Sequence, residues 1–262
     1  MKKINIYQVD AFTSKTFSGN AAAVCPLKDW LSDEIMQSIA MENNLSETAF
    51  FINKDNKFYI RWFTPLSEID LAGHPTLATA HIIFEKLLPG LNNIEFYTKT
   101  GHLLKVYKNN NVIYMNFPSY NSLEKPSKLE DFSLALRAKP IKILSGLYGM
   151  AVFEDQTEII NIKPNFELIS KLEFNGIIAT APGDSCDFVS RFFAPILGIE
   201  EDPVTGSAHC QLIPFWSEVL NKKDLLAMQG SKRRGELYCT HLGDRVIIGG
   251  KAITYMSGTI VL

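Results

Sequence analysis

Two similar stretches of sequence decide how this chain is organised: Arg61-Trp62-Phe63-Thr64-Pro65-Leu66 and Arg191-Phe192-Phe193-Ala194-Pro195-Ile196. In each half an acidic residue and then a helix-opening glycine follow: Asp70 and Gly73 in the first half, Asp202 and Gly206 in the second. Short apolar motifs can recur by chance. The shared order of features, at an offset of about 130 residues, indicates an internal duplication instead.

The duplication extends beyond these stretches. Gly101 stands ahead of Val112-Ile113-Tyr114 with the same spacing as Gly235 ahead of Val246-Ile247-Ile248. Strand-like and helix-like runs alternate along the chain. We therefore expect an α+β fold of two pseudo-symmetric domains, each a mixed β-sheet wrapped around a central helix.

The polar stretch 118–131 has the composition of a linker, which places the domains at residues 1–118 and 119–262. The sequence leaves open whether the last strand, 252–262, packs on its own half or crosses to the first domain.

Local patterns predict several elements of the first half. We expect strands over residues 3–12, 48–52, 57–63, 102–107 and 112–117, with a turn at 53–56. Ser32 is a plausible N-cap of a helix. A second helix is expected to start at Pro75 and to run to residue 88, because proline is favoured at the first helical position.

Composition excludes several classes of function. The chain has 262 residues, with 26 Lys+Arg, 28 Asp+Glu and a net charge of −2, and its one basic cluster is Lys232-Arg233-Arg234. A nucleic-acid partner is therefore not expected. No apolar run is long enough to span a membrane, no secretory signal is evident and the four cysteines are scattered. We expect a cytoplasmic protein without a membrane partner.

Glu47 is the first candidate for chemistry. It stands between a predicted helix and a predicted strand and is followed by Thr48-Ala49-Phe50-Phe51. Apolar surroundings favour the protonated form of a carboxylate and suit it to acid–base work. The more common alternative is a loop glutamate that accepts backbone hydrogen bonds.

The two glycine-led helix starts are the second candidate feature. Backbone amides at a helix N-terminus attract carboxylates and phosphates, which makes Gly73, Thr76, Gly206 and Ser207 candidate substrate-binding residues. His74 lies at one of these starts, where a neutral imidazole is favoured. Asp202 precedes the other start and is either a helix cap or a second acidic group of a proton-transfer site. Simple N-caps remain the alternative for both starts.

Metal and cofactor signals are weak. His74 and His81 are seven residues apart without a third ligand candidate nearby, and His209-Cys210 points in two directions from a helix. No dinucleotide or P-loop fingerprint is found. We expect neither a metal nor an organic cofactor.

Long ordered strings of the sequence resemble one family. The sequence resembles the PhzF family of phenazine biosynthesis-like isomerases, which share the diaminopimelate epimerase-like fold. The strings that carry the resemblance span nearly the whole chain and are Gln8–Thr13, Phe17–Val24, Asn44–Phe50, Arg61–Pro65, Gly73–Ala78, Ser190–Pro195 and Glu201–His209.

The resemblance implies an active site in the cleft between two domains, a homodimer and proton transfer without a cofactor. It implies Glu47 as the catalytic acid/base, His74 and Asp202 as further catalytic residues, and Ser46 beside Glu47 as a substrate contact. Epimerases of this fold use two cysteine thiols, and the corresponding positions here are Ala72 and Pro203. Neither side chain transfers a proton, so the resemblance disfavours a two-thiol racemase.

The leading hypothesis is a cofactor-independent isomerase that moves a proton within a small carboxylate-bearing metabolite. One alternative is an epimerase or racemase that pairs Glu47 with Asp202 or His74. Another is a non-catalytic small-molecule binding protein that keeps the site but has lost turnover.

Overall fold

The computed structural model describes residues 2–55, 57–125, 128–230 and 232–262. Its internal contacts divide the chain into two units, one of Met1–Asn116 with Gly249–Leu262 and one of Phe117–Ile248. Among the described residues, none of the helices combines the length and apolar character that a membrane span needs.

The first unit contains one mixed sheet and two α-helices. Its strands are β1 (Lys3–Ala11), β2 (Asn20–Leu27), β3 (Glu47–Lys54), β4 (Lys57–Phe63), β5 (Glu68–Ile69), β6 (Asn93–Thr98), β7 (Leu103–Asn109) and β18 (Ala252–Val261). The helices are α1 (Asp33–Asn43) and α2 (Gly73–Ile82), the latter continued by a π-helical turn, Ile83–Leu87. β8 (Val112–Pro118) leads into the second unit.

The strands of the first unit pair in both directions. β2 runs parallel to β3 and β4 parallel to β6, while β1–β2, β3–β4, β4–β5, β6–β7 and β7–β8 are antiparallel. The last strand, β18, pairs antiparallel with β1, from Lys3 opposite Val261 to Ala11 opposite Ala252. The C-terminal strand thus belongs to the sheet of the first half.

Helix α2 is the centre of the first unit. It packs against β1, β2, β3 and β18, and all of its residues except His81 are buried. Such a helix is buried on every side, in contrast to α1, which buries one stripe of Met36, Ile39 and Ala40. The hydroxyls of Thr76 and Thr79 donate to backbone carbonyls one turn earlier, which removes the cost of burying them.

The second unit repeats this plan. Its strands are β9 (Leu123–Glu124), β10 (Lys142–Ser145), β11 (Gly149–Val152), β12 (Ile177–Pro182), β13 (Phe188–Ala194), β14 (Ile199–Asp202), β15 (Asp224–Gln229) and β16 (Gly235–His241), and β17 (Arg245–Gly250) leads back to the first unit. Its helices are α3 (Leu129–Leu136), α4 (Gln156–Asn161), α5 (Phe166–Ile169) and α6 (Gly206–Val219), with a 3-10 turn at Pro195–Leu197.

Strand pairing confirms the duplication. β11 runs parallel to β12 and β13 parallel to β15, as β2 does to β3 and β4 to β6. The antiparallel pairs β12–β13, β13–β14 and β15–β16 correspond to β3–β4, β4–β5 and β6–β7. The fold is therefore a mixed α+β architecture that occurs twice in the chain.

Helix α6 takes the central place in the second unit. Ten of its fourteen residues are buried, although Pro214 lies inside it. A proline lacks the N–H that would bind the carbonyl four residues earlier, here that of Cys210. The backbone N–H of Tyr120 donates to this carbonyl instead, at 2.9 Å, so the helix continues past the proline.

Three sequence-based predictions need correction. Helix α2 begins at Gly73, so Pro75 is its third residue, and the regular helix ends at Ile82 instead of residue 88. β2 and β6 were not predicted. The stretch 118–131 is not a free linker over its described residues, because it contains β9 and the start of α3. Residues 56, 126 and 127, which belong to the predicted turn and linker, lie outside the described residues.

Candidate functional site

Glu47 is the first residue of β3, where the chain leaves helix α1. Its parallel partner on β2 is Ala22. Asn44, the C-cap of α1, adopts a left-handed conformation with φ 48° and turns the chain towards the strand. Glu47 is 8 % exposed, so the structure places a carboxylate at the edge of the buried core, between two apolar elements.

His74 lies against Glu47. Its Nε2 atom is 2.9 Å from Glu47 Oε2, and the residue is 4 % exposed. Two unprotonated acceptor atoms would repel each other at this distance, so a proton lies between them. The pair is therefore built for holding or passing a proton.

Asn20 determines which imidazole nitrogen carries that proton. Its Nδ2 atom is 3.1 Å from His74 Nδ1, and the hydroxyl of Ser46 donates to its Oδ1 at 3.3 Å. An amide nitrogen only donates, so Nδ1 of His74 accepts and the proton of a neutral imidazole is on Nε2. The Nε2–H of His74 then lies beside the carboxylate of Glu47, with 2.9 Å between Nε2 and Oε2.

The sequence analysis did not single out Asn20 as a site residue. The available signal was the glycine before it. Gly19 has a φ of 63°, and a Cβ atom at this position would lie 2.0 Å from the carbonyl oxygen of Ala11. Only glycine fits this turn, which delivers Asn20 to the start of β2.

Gly73 and Thr76, both predicted to bind substrate, are both buried at the start of α2. Gly73 is the first residue of α2, after the N-cap Ala72. Thr76 is 0 % exposed, and its hydroxyl donates to the carbonyl of Ala72 at 2.5 Å. This geometry gives Thr76 a part in fixing the helix start.

Asp202 is the centre of a second polar cluster, at the start of α6. Its Oδ2 atom accepts a hydrogen bond from the hydroxyl of Thr205 at 2.6 Å. Gln229, at the end of β15, accepts from Thr205 N–H at 2.9 Å and donates to the Asp202 carbonyl at 3.1 Å and to Thr205 Oγ1 at 2.9 Å. Thr205 and Gln229 were not among the predicted site residues.

Ser207, in the first turn of α6, contacts a tyrosine. Tyr148 Oη and Ser207 Oγ are 2.9 Å apart. Gln211 on α6 holds the Tyr148 backbone, accepting from its N–H and donating to its carbonyl. Burial raises the pKa of the Tyr148 phenol, so this group stays protonated and available as a donor at neutral pH.

The predicted site residues thus fall into two groups. The first unit brings together Ser46, Glu47, Gly73 and His74, with Asn20 added by the structure. The second unit brings together Asp202, Gly206 and Ser207, with Thr205, Gln229 and Tyr148 added. Sequence spacing could not reveal Asn20, Tyr148 and Gln229, because they lie on strands and loops distant in sequence from the predicted residues that they contact.

Three buried cysteines and two further histidines do not change protonation state near neutral pH. Burial raises the pKa of the Cys25 and Cys210 thiols to about 12, and that of Cys239 further still. Such thiols are not nucleophiles at neutral pH. Burial lowers the pKa of His81 and His209 to about 4, so both rings are neutral. Among the described residues, no cluster of three His, Cys, Asp or Glu side chains could hold a metal ion.

Two relatives with names that include isomerase match this chain over nearly its full length. An uncharacterized isomerase of Pseudomonas aeruginosa is 44 % identical over 261 residues, which cover 99 % of both chains. An uncharacterized isomerase of Halalkalibacterium halodurans is 41 % identical over 264 residues, with 98 % of both chains covered.

Solved structures agree with these relatives. A PhzF-family protein of Enterococcus faecalis superposes over 100 % of both chains with a TM-score of 0.96 and 42 % identity. A hydroxyproline epimerase of Agrobacterium vitis shares the fold at 9 % identity, with a TM-score of 0.66 over 98 % of this chain and 92 % of that one. The fold is thus of the diaminopimelate epimerase-like type.

The family comparison covers almost the whole chain. The family model described as phenazine biosynthesis-like protein, PhzC-PhzF, matches residues 9–258. The chain therefore belongs to the PhzC-PhzF family.

Proposed function

We propose that the chain is a cofactor-independent isomerase that moves a proton within a small carboxylate-bearing metabolite. The names of the relatives support the isomerase class. The observation that carries the proposal is the buried contact of 2.9 Å between Glu47 Oε2 and His74 Nε2. A buried acid beside an oriented imidazole is suited to proton transfer at carbon.

In the proposed reaction, Glu47 is the base and then the acid. Its carboxylate takes a proton from a carbon that an adjacent carbonyl or unsaturated group has made acidic. The electron pair of the broken C–H bond moves into the conjugated system. The acid proton on Glu47 exchanges with solvent, and Glu47 then protonates another carbon. The atoms balance without an external oxidant or reductant.

His74 keeps Glu47 ready for both steps. Because Asn20 binds Nδ1, the N–H of His74 is on Nε2, which lies 2.9 Å from Oε2 of Glu47. This contact holds the carboxyl group of Glu47 in place for both steps. Under this proposal the other carboxylate oxygen of Glu47, Oε1, carries the proton, and His74 is the positioning partner of Glu47.

The substrate carboxylate is proposed to bind backbone amides at helix starts. Gly73 and Gly206 open α2 and α6, whose N-terminal N–H groups attract anions. The hydroxyls of Ser46 and Ser207 add donors, and Asp202 is proposed to orient the reacting group. A homodimer in the cytoplasm remains the expected form of the enzyme.

Solvent-deuterium incorporation tests this proposal. Wild type and Glu47→Gln are each incubated in heavy water with a small-metabolite extract, and the products are compared by mass spectrometry. Glu42→Gln on the exposed surface of α1 is the matched control. We expect one carboxylate metabolite to gain deuterium with wild type and with the control only.

Other outcomes point to the alternatives. Labelling that persists in Glu47→Gln removes Glu47 from the mechanism. Absence of labelling, with added carboxylates still raising the melting temperature, supports a binding protein without turnover. Labelling together with loss of substrate chirality supports an epimerase.

A further inference from the structure

The hydrogen bonds around Gln229 have only one possible direction. Thr205 N–H is a backbone donor, so the Gln229 atom that faces it at 2.9 Å is the carbonyl oxygen Oε1. The Asp202 carbonyl is a backbone acceptor, so the Gln229 atom at 3.1 Å from it is the amide nitrogen Nε2. Two main-chain groups therefore fix the orientation of the amide.

The same amide fixes the direction of the Thr205 hydroxyl. Gln229 Nε2 donates to Thr205 Oγ1 at 2.9 Å, which occupies one lone pair of that oxygen. The hydroxyl hydrogen is left to donate elsewhere, and Asp202 Oδ2 lies 2.6 Å away. Gln229 is 1 % exposed, so water has no access that would offer it other partners.

The hydroxyl of Thr205 is not needed to cap the helix. Thr205 is the N-cap of α6, yet its side chain makes no capping hydrogen bond. At the equivalent position of the first unit, Ala72 caps α2 without any hydroxyl. The hydroxyl therefore faces Asp202 for a reason other than helix formation.

We propose that Gln229 is a positioning residue for Asp202: through Thr205 it directs a hydrogen-bond donor at Oδ2 and so holds Asp202 as an oriented carboxylate. A hydroxyl donates a stronger hydrogen bond to an ionised carboxylate than to a protonated one, so the relay favours the ionised form of Asp202. That Asp202 acts on substrate rests on the proposed function, whereas the relay itself does not.

The experiment measures the titration of the Asp202 carboxyl group by ¹³C NMR, without substrate. The resonance is assigned by its disappearance in Asp202→Asn. Thr205→Val removes the donor and keeps the side-chain shape, while Thr205→Ser restores the hydroxyl. Gln229→Met removes the amide that orients Thr205.

We expect the titration midpoint of Asp202 to rise by about one pH unit in Thr205→Val, a tenfold gain in proton affinity, because an ionised group loses a hydrogen bond. Thr205→Ser is expected to titrate as wild type. In Gln229→Met the midpoint is expected to lie between those of wild type and Thr205→Val, since the Thr205 hydroxyl is present but is no longer oriented by the amide.

The threonine variants keep every neighbouring charge in place. Their comparison therefore isolates the hydroxyl from the neighbouring titratable groups. These include Tyr148, which interacts electrostatically with Asp202, and His209, whose Nδ1 lies 2.9 Å from the Thr205 carbonyl. Near-ultraviolet circular dichroism checks that each variant is folded.

A midpoint in Thr205→Val equal to that of wild type overturns the relay. A shift in Thr205→Ser as large as that in Thr205→Val does so too, because the effect would then come from packing. If Gln229→Met titrates as wild type, Gln229 does not orient Thr205. Loss of turnover in Glu47→Gln is scored separately and decides only the proposed function.

Discussion

The two central helices, α2 and α6, begin alike and carry different chemistry. Each opens with a glycine, and each N-cap carbonyl accepts a hydrogen bond from the side chain four residues on, Thr76 in α2 and His209 in α6. In the first unit the start of the helix presents His74 to Glu47. In the second it presents Thr205 to Asp202. Duplication preserved the frame, and the two sites diverged within it.

A similar divergence is seen at the duplicated arginines. Arg61 and Arg191 each bind one glutamate through two nitrogens, Glu68 and Glu201 respectively. Around Arg61 the network reaches the surface, because Lys99 also binds Glu68. Arg191 instead donates to the carbonyls of Ile159 and Ile162 at the end of α4. Arginines at equivalent positions thus belong to a surface network in the first half and bind the end of a helix in the second.

The largest expected effect comes from replacing each of the two equivalent arginines in turn. Arg191→Met removes the donor of Glu201 and of the Ile162 carbonyl and leaves the Ile159 carbonyl with the N–H of Ile162. We expect a loss of about 3 to 5 kcal/mol in the free energy of unfolding. Arg61→Met leaves Glu68 with Lys99 as a partner, so we expect about 1 to 2 kcal/mol. Urea denaturation of both variants measures the difference. Equal losses would contradict the assigned asymmetry.

A second prediction concerns His209, the residue of α6 equivalent to Thr76 of α2, and the pH dependence of stability. Burial lowers the pKa of His209 to about 4, below its usual 6.5. Between these pH values the unfolded chain binds a proton that the folded protein does not, so His209 destabilises the fold as pH falls from 6.5 towards 4. The expected loss is about 1.4 kcal/mol per pH unit within this window.

His209→Thr gives α6 the residue that α2 has and removes this loss. We expect the variant to be about 1 to 2 kcal/mol less stable than wild type at pH 7, because the smaller side chain leaves a cavity. The difference is expected to shrink as pH falls to 5. Urea denaturation at both pH values is the measurement, and a constant difference would exclude His209 as the source of the acid sensitivity.

The last prediction concerns Asn20 and the effect on turnover, not on stability. Asn20→Asp places a carboxylate beside His74 Nδ1, so the imidazole carries a proton on both nitrogens and holds Glu47 in an ion pair. We expect turnover to fall about 100-fold, the low end of what an acid–base group contributes. ¹⁵N NMR of the imidazole at pH 7 is expected to show one protonated nitrogen in wild type and two in Asn20→Asp. Asn93→Asp on the exposed end of β6 is the control. An unchanged His74 spectrum in Asn20→Asp would contradict the claim that Asn20 determines the tautomer of His74.

Much of the frame could be predicted from the sequence because it depends on local signals. The helix-opening glycines Gly73 and Gly206 are where the repeat places them, and β4 spans the predicted residues, 57–63. Helix α1 starts after Ser32 as expected. The start of α2 was misplaced because proline is also tolerated elsewhere in the first turn.

The partners of the site residues could not be predicted in the same way. Asn20 meets His74 across 54 positions of sequence, and Gln229 meets Thr205 across 24. Neither asparagine nor glutamine has a spacing rule that identifies such a contact. Strands β2 and β15 deliver them, and only the register of the sheets shows that they reach the helix starts.

The central claim is that Glu47 removes a proton from one carbon of the substrate and, after exchange with solvent, protonates another carbon. The most direct test is to convert the metabolite found by labelling in heavy water and to locate deuterium in the product by NMR. The account predicts deuterium at a carbon other than the one that lost hydrogen, with wild type and Glu42→Gln but not with Glu47→Gln. Deuterium at the original carbon with inverted configuration, or equal labelling by Glu47→Gln, would contradict it.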